Sequence, residues 1–149
     1  MANHLRRQIR EAVAGAVTGL TTTAARVYQA RVYPVERSSL PGLLVFTLAE
    51  TSARTTLPAP GVMTRTLRLQ VVGVAEGVAN LDDALDQICK EVEIALAMPS
   101  AALAGIAKTI TLVATDIEMQ GTSSRPVGQA AMTYEVVYAA AENSPDVGL

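Results

Sequence analysis

The chain has 149 residues, half of them apolar, and a net charge of −2. It has no Trp, and one residue each of Phe (Phe46), Cys (Cys89) and His (His4). This composition excludes a sequence-wide basic field for nucleic acid, aromatic platforms for single strands, a disulfide within the chain and a Cys-based zinc site. No apolar run approaches the roughly 20 residues of a membrane helix. The cluster Arg6, Arg7 and Arg10 ahead of Val13–Val17 has the outline of a signal peptide, but Glu11 and the short apolar stretch argue against one. An intracellular origin is expected. A chain of this length buries roughly 70% of its unfolded surface, enough for one core without covalent staples. That core must be built from Ala, Val and Leu, each contact contributing at about 25 cal/mol per Å².

Residues 3–20 carry Leu5, Ile9, Val13, Ala16, Val17 and Leu20 at spacings of three and four, which predicts an amphipathic helix. Asn3 suits the N-cap, and Gly19 with Thr21–Thr23 ends the helix. A strand is expected at Arg26–Val32, closed by Tyr33-Pro34. Arg37–Gly42 reads as a polar loop, and Leu43–Leu48 as a central strand, short and nearly all apolar. The stretch 50–61 carries Pro58, Pro60 and Gly61 and reads as a long irregular connection. Thr64–Val74 alternates, with Leu67, Leu69 and Val71 on one face and Thr66, Arg68 and Gln70 on the other. It predicts a half-buried strand paired antiparallel with the one before.

A second helix is expected over 81–97. Asn80 is its cap, Asp82 and Asp83 sit in its first turn, and Leu81, Leu85, Ile88, Val92 and Leu96 form its stripe. A small-residue loop at 99–107 leads to a strand at Thr109–Met119. A turn-rich loop at Gly121–Pro126 precedes a last strand at Val127–Ala139, with Tyr134 and Tyr138 on one face. The predicted fold is α+β: a single, mostly antiparallel sheet of about five strands packed by two helices, in the order α-β-β-β-α-β-β. Residues 1–141 form the domain, and 142–149 are expected to be a flexible tail.

Residues for catalysis are scarce. His4 lies in the first turn of a terminal helix, where an exposed surface histidine is the favoured reading over a catalytic base. Cys89 sits beside the apolar stripe of the second helix and reads as a small buried hydrophobe. Neither glycine-rich phosphate-loop pattern occurs. Asp82, Asp83 and Asp86 are weak candidates for a divalent cation, and a solvated, dipole-favoured helix start is the plainer account. Glu50, Arg54 and Arg65 lie in or beside the 50–61 stretch, and Arg125 lies in the 121–126 loop. These four are candidates for contact with a partner or a neighbouring subunit, the stretch itself being read as a protruding hairpin tip or a mobile loop. The chain is therefore expected to assemble with other proteins rather than to be an enzyme.

Four segments together carry a family resemblance. They are Arg31-Val32-Tyr33-Pro34 with Leu40-Pro41-Gly42-Leu43-Leu44-Val45-Phe46 and Glu50; Arg65-Thr66-Leu67-Arg68-Leu69-Gln70-Val71-Val72-Gly73; Leu81-Asp82-Asp83-Ala84-Leu85-Asp86 through Glu91-Val92-Glu93; and Arg125-Pro126-Val127-Gly128 leading to Tyr134-Glu135-Val136-Val137-Tyr138. Over about residues 5–140 the chain resembles the tail-terminator, or tail-completion, proteins of long-tailed bacteriophages. The resemblance implies a structural virion protein that forms a hexameric ring on the head-proximal end of the tail tube. Such a ring ends tube growth and offers a docking surface to neck or head-completion proteins. It also implies assembly in the host cytoplasm, no resident cofactor, and, for some members, a dependence of assembly on Mg2+. No metal ligand carries over by residue.

The alternatives are another head–tail joining or tail tube protein, or a small ligand-binding domain. Sequence-specific nucleic-acid binding and membrane association are not expected. A closed ring needs heterologous contacts, one patch against a different patch of the next copy. The sheet edges expected near Arg26–Val32 or Val127–Ala139 are candidates for strand addition between subunits.

Overall fold

The structure is a computed structural model, and it describes residues 2–31, 40–77, 80–98, 100–120 and 126–149, without the side chains of Ala101 and Gln120. The described elements are α1 (Leu5–Ala16), β1 (Val27–Tyr28), β2 (Gly42–Arg54), β3 (Val62–Glu76), α2 (Leu81–Ala97), α3 (Ala101–Ala104), β4 (Thr109–Gln120) and β5 (Val127–Ala141). The expected order of helices and strands holds, with the short α3 added where a loop was expected.

One five-stranded sheet runs β1-β2-β3-β5-β4. β1 joins β2 in parallel, and the other neighbouring pairs are antiparallel. Period-2 alternation sorts the long strands. Leu67, Leu69 and Val71 of β3 and Met132, Tyr134, Val136 and Tyr138 of β5 are buried in the main core with Leu5, Ile9 and Val13 of α1 and Leu85, Ile88, Val92 and Leu96 of α2. Leu44, Val72 and Val74 form a second, smaller cluster, with Tyr28, Leu40 and Phe46 against it. Ile88 sits over Gly73, where an added Cβ would lie 2.7 Å from Ile88 Cγ2, so the glycine lets α2 approach the sheet closely.

Several boundaries differ from the sequence reading. α1 ends at Ala16, and its N-cap is His4 rather than Asn3, because His4 Nδ1 accepts the Arg6 N–H at 3.1 Å. Thr18 donates to the Ala14 carbonyl at 2.6 Å, and Gly19 turns the chain with a φ of 87°. Asn80 occupies the N-cap position of α2 in the left-handed region with no side-chain cap bond, so it turns the chain without capping it. β1 is only two residues long among the described residues, and 32–39 lie outside them.

The largest correction concerns 50–61. β2 continues through Glu50 to Arg54, each residue from Ala49 to Arg54 pairing with one from Arg68 back to Met63. A bulge at Leu48 shifts the register, so Glu50 rather than Ala49 faces the helices. The Ser, Thr and Ala run gave no hydrophobic pattern; backbone pairing with a strong β3 partner extends the strand. The true loop is 55–61, closed by Thr55 N to Val62 O at 2.8 Å and by Val62 N to Thr56 Oγ1 at 2.8 Å.

The segment 142–149, for which the sequence suggests a loose tail, returns to the body. Leu5 N donates to Pro145 O at 2.9 Å, Leu149 N to Ala139 O at 3.0 Å, and Gln8 Nε2 to Asp146 O at 2.9 Å.

Candidate assembly surface

The charged candidates of the hairpin fall into two groups. At its base, Glu50 is nearly buried, with 7% of its side chain exposed. Its carboxylate accepts from Arg6 Nη1 at 2.8 Å, from Arg65 Nη1 at 3.5 Å and from the Tyr138 hydroxyl. Arg65 Nη1 also lies 3.4 Å from His4 Nε2, while its buried Nε has no partner. Three elements and the helix entry meet at one carboxylate: β2, β3, β5 and the first turn of α1. Glu50 and Arg65 are thus brought together, but as an internal tie that orients the hairpin, with little side-chain surface to offer a neighbour.

Electrostatics in this node follow from burial. Burial and the Arg6 guanidinium hold the His4 imidazole below its usual range, against the opposing pull of Glu50 and Asp146. Burial, then the hydrogen bond to Glu50, pushes the Tyr138 phenol well above its usual range.

Farther out, Arg54 is 43% exposed and clasps Glu142 with both Nε and Nη2, the latter at 3.0 Å. Glu142 N donates to Gly61 O at 2.9 Å. The Arg54 hydrogen bond holds the Glu142 carboxyl below the usual carboxylate range. The C-terminal segment therefore braces the foot of the loop. Beyond it the tip presents Leu57, 93% exposed.

The remaining candidates are dispersed. Asp82, Asp83 and Asp86 are exposed on the opening turns of α2, and among the described residues no group of three or more His, Cys, Asp or Glu side chains is placed to hold a metal ion. Arg125 lies outside the described residues. Cys89 is buried in the core, which pushes its thiol up and leaves it a packing residue. Among the described residues no helix is long and apolar enough to cross a membrane.

The strand expected at Thr109–Met119 is present as β4, but its place at the margin of the sheet was not legible in the sequence. β5 lies between β3 and β4, so Val127–Ala139 is not an edge, and β4 is the outer strand instead. From Val113 to Met119 every residue is exposed, on both faces of the strand. Val113, Ile117 and Met119 are 44–49% exposed, and Asp116 and Glu118 lie on the opposite face from Ile117 and Met119. Alternation signals a half-buried strand, but nothing in a single sequence says which strand will lie at the margin. At the other margin, among the described residues, β1 pairs with Leu43 and Leu44 of β2 alone.

Neither a protein-family profile nor a curated protein sequence matches the chain. Among solved structures, the chain is similar to one in the virion of a native gene transfer agent particle, with 16% identity and a TM-score of 0.40, covering 90% of this chain and 92% of that one. At that level of likeness no property of the particle carries over to this chain.

Proposed function

We propose that this chain is a structural virion protein that caps the head-proximal end of a phage tail tube as a ring, and that it is not an enzyme. The observation that carries the reading is β4. A strand of 12 residues at a sheet margin, exposed on both faces from Val113 to Met119 and bearing Val113, Ile117 and Met119, presents apolar surface beside an outer edge that has no strand partner among the described residues. Monomeric proteins blunt such margins with short strands, prolines or cover; assembling proteins use them. Beyond Leu44 the outer edge of β2 has no strand partner among the described residues, although Arg31 donates to the Thr47 carbonyl there. Two unlike margins on one chain suit a heterologous contact, which closes into a ring when the rotation permits.

The segments that carry the family resemblance support the same reading. Arg65–Gly73 is the middle of β3, Leu81–Glu93 is most of α2, and Tyr134–Tyr138 lies in β5, so they form the frame from which the hairpin and β4 extend. In this account neck or head-completion proteins and the tail tube protein are the partners, the ring is a hexamer, and assembly is the step at which Mg2+ would act.

Native mass measurement and electron microscopy of the purified protein, with and without Mg2+, test the reading. Closed six-subunit rings are expected. Long tubes would favour a tube protein, and monomers under every condition, tail tubes included, would contradict a ring.

A further inference from the structure

The hairpin tip and a groove on the helix layer are both apolar. The loop 55–61 reads Thr-Thr-Leu-Pro-Ala-Pro-Gly, with no charged residue, and Leu57 at its apex is 93% exposed. An isolated leucine on a surface is ordinary; one held out on a braced, uncharged loop is positioned to be covered. Elsewhere, the turn at Gly19–Thr21 and the outer face of α2 flank a shallow, open groove of about 260 Å³. Its walls are Leu20, Ile94 and Ala95, and Ile94 is 65% exposed. Met98, 79% exposed, prolongs the apolar face past the end of α2. The one carboxylate at the groove, Glu91, is already engaged by Thr22 and by Gln87 Nε2 at 3.1 Å, so it does not oppose an apolar guest.

The tip cannot reach the groove of its own chain. The groove lies along the last turns of α2, where Leu96 shares a cleft with Tyr134, and Tyr134 pairs with Leu69. From Leu69 to the start of the tip beyond Val62 is seven strand steps, roughly 23 Å. The apolar knob and the apolar groove therefore belong to different copies or to none.

We infer that the tip of the β2–β3 hairpin, led by Leu57, seats in the groove between Gly19–Thr21 and Ile94–Ala95 of a second copy of this chain. The contact is heterologous, so it propagates from copy to copy. The inference deepens the ring reading and rests on it for closure, though not for the contact itself. The Arg54–Glu142 clasp fixes the angle at which the knob is offered.

The test uses the full chain with Leu57→Cys and Ile94→Cys, singly and together. Both positions are exposed, and native Cys89 is buried. A short bis-maleimide on the double variant should give a ladder of covalent multimers in denaturing gels. Each single variant should give none, and a mixture of the two single variants should stop at dimers. Leu57→Asp should weaken self-association roughly 10- to 100-fold, the worth of one buried leucine. Rings that form normally in Leu57→Asp and do not cross-link in the double variant overturn this contact and leave the ring standing. A ladder without closed rings supports the contact and sinks the ring. Strict monomers overturn both.

Discussion

Tyr138 donates its phenolic hydrogen to the carboxylate of Glu50, 88 positions away in the chain, at the point where Arg6 and Arg65 also meet it. One nearly buried acid thus joins α1 to the inner strands. Glu50→Ala leaves Arg65 and the Tyr138 hydroxyl without their acceptor, and a loss of about 3 kcal/mol in urea unfolding is expected. Glu50→Gln, which still accepts from Tyr138, should lose less. A loss below about 0.5 kcal/mol in Glu50→Ala, the ordinary range for a surface substitution, would show that the node is not a structural tie.

Gly73 predicts a packing limit. A Cβ there would lie 2.7 Å from Ile88 Cγ2, which is held in the core between sheet and helix. Gly73→Ala should destabilise by about 1–3 kcal/mol through overpacking. In an Ile88→Ala background the same change should cost clearly less, because the obstructing methyl is gone. Additive losses in the double variant would show that the two residues do not meet.

His4 gives the fold a pH dependence of known sign. Its imidazole binds a proton less readily in the folded chain than at its ordinary value of 6.5, chiefly through burial and then Arg6. Between the lower folded value and 6.5 the unfolded chain binds more protons, so stability is fully present above about 6.5 and falls as pH drops through the folded value. Protonation also removes the Nδ1 acceptor that caps α1. Unfolding midpoints from pH 7.5 to 5.0 should fall in the wild type and fall less in His4→Asn, which keeps a capping acceptor. Parallel profiles would assign the slope to other groups.

Ile117 separates folding from assembly. It is 49% exposed at the sheet margin, so Ile117→Lys should change chain stability by no more than about 0.5 kcal/mol. The same variant should lose self-association in native mass measurements, since a lysine on a strand margin discourages edge pairing. Unchanged assembly would remove β4 from the interface.

Legibility in the sequence followed the range of the interactions. α2 was readable to its ends because its stripe and its first-turn acids are local signals. β3 and β5 were readable because their alternation is clean. The extension of β2 through Ala49–Arg54 was not, because what orders it is the partner strand and not its own pattern. Glu50 and Arg65 were singled out as charges near a loop, yet their meeting with Arg6 and Tyr138 depends on the bulge at Leu48 and on contacts 44 and 88 positions apart. The exposure of β4 was invisible for the same reason: strand order is a property of the whole sheet.

The central claim, that this chain ends a growing tail tube, is tested most directly by electron microscopy of tails assembled with its gene intact and deleted. The account predicts uniform lengths with the protein, and overlong tails of varied length, unable to join heads, without it. Tails of normal and uniform length in the deletion would contradict it.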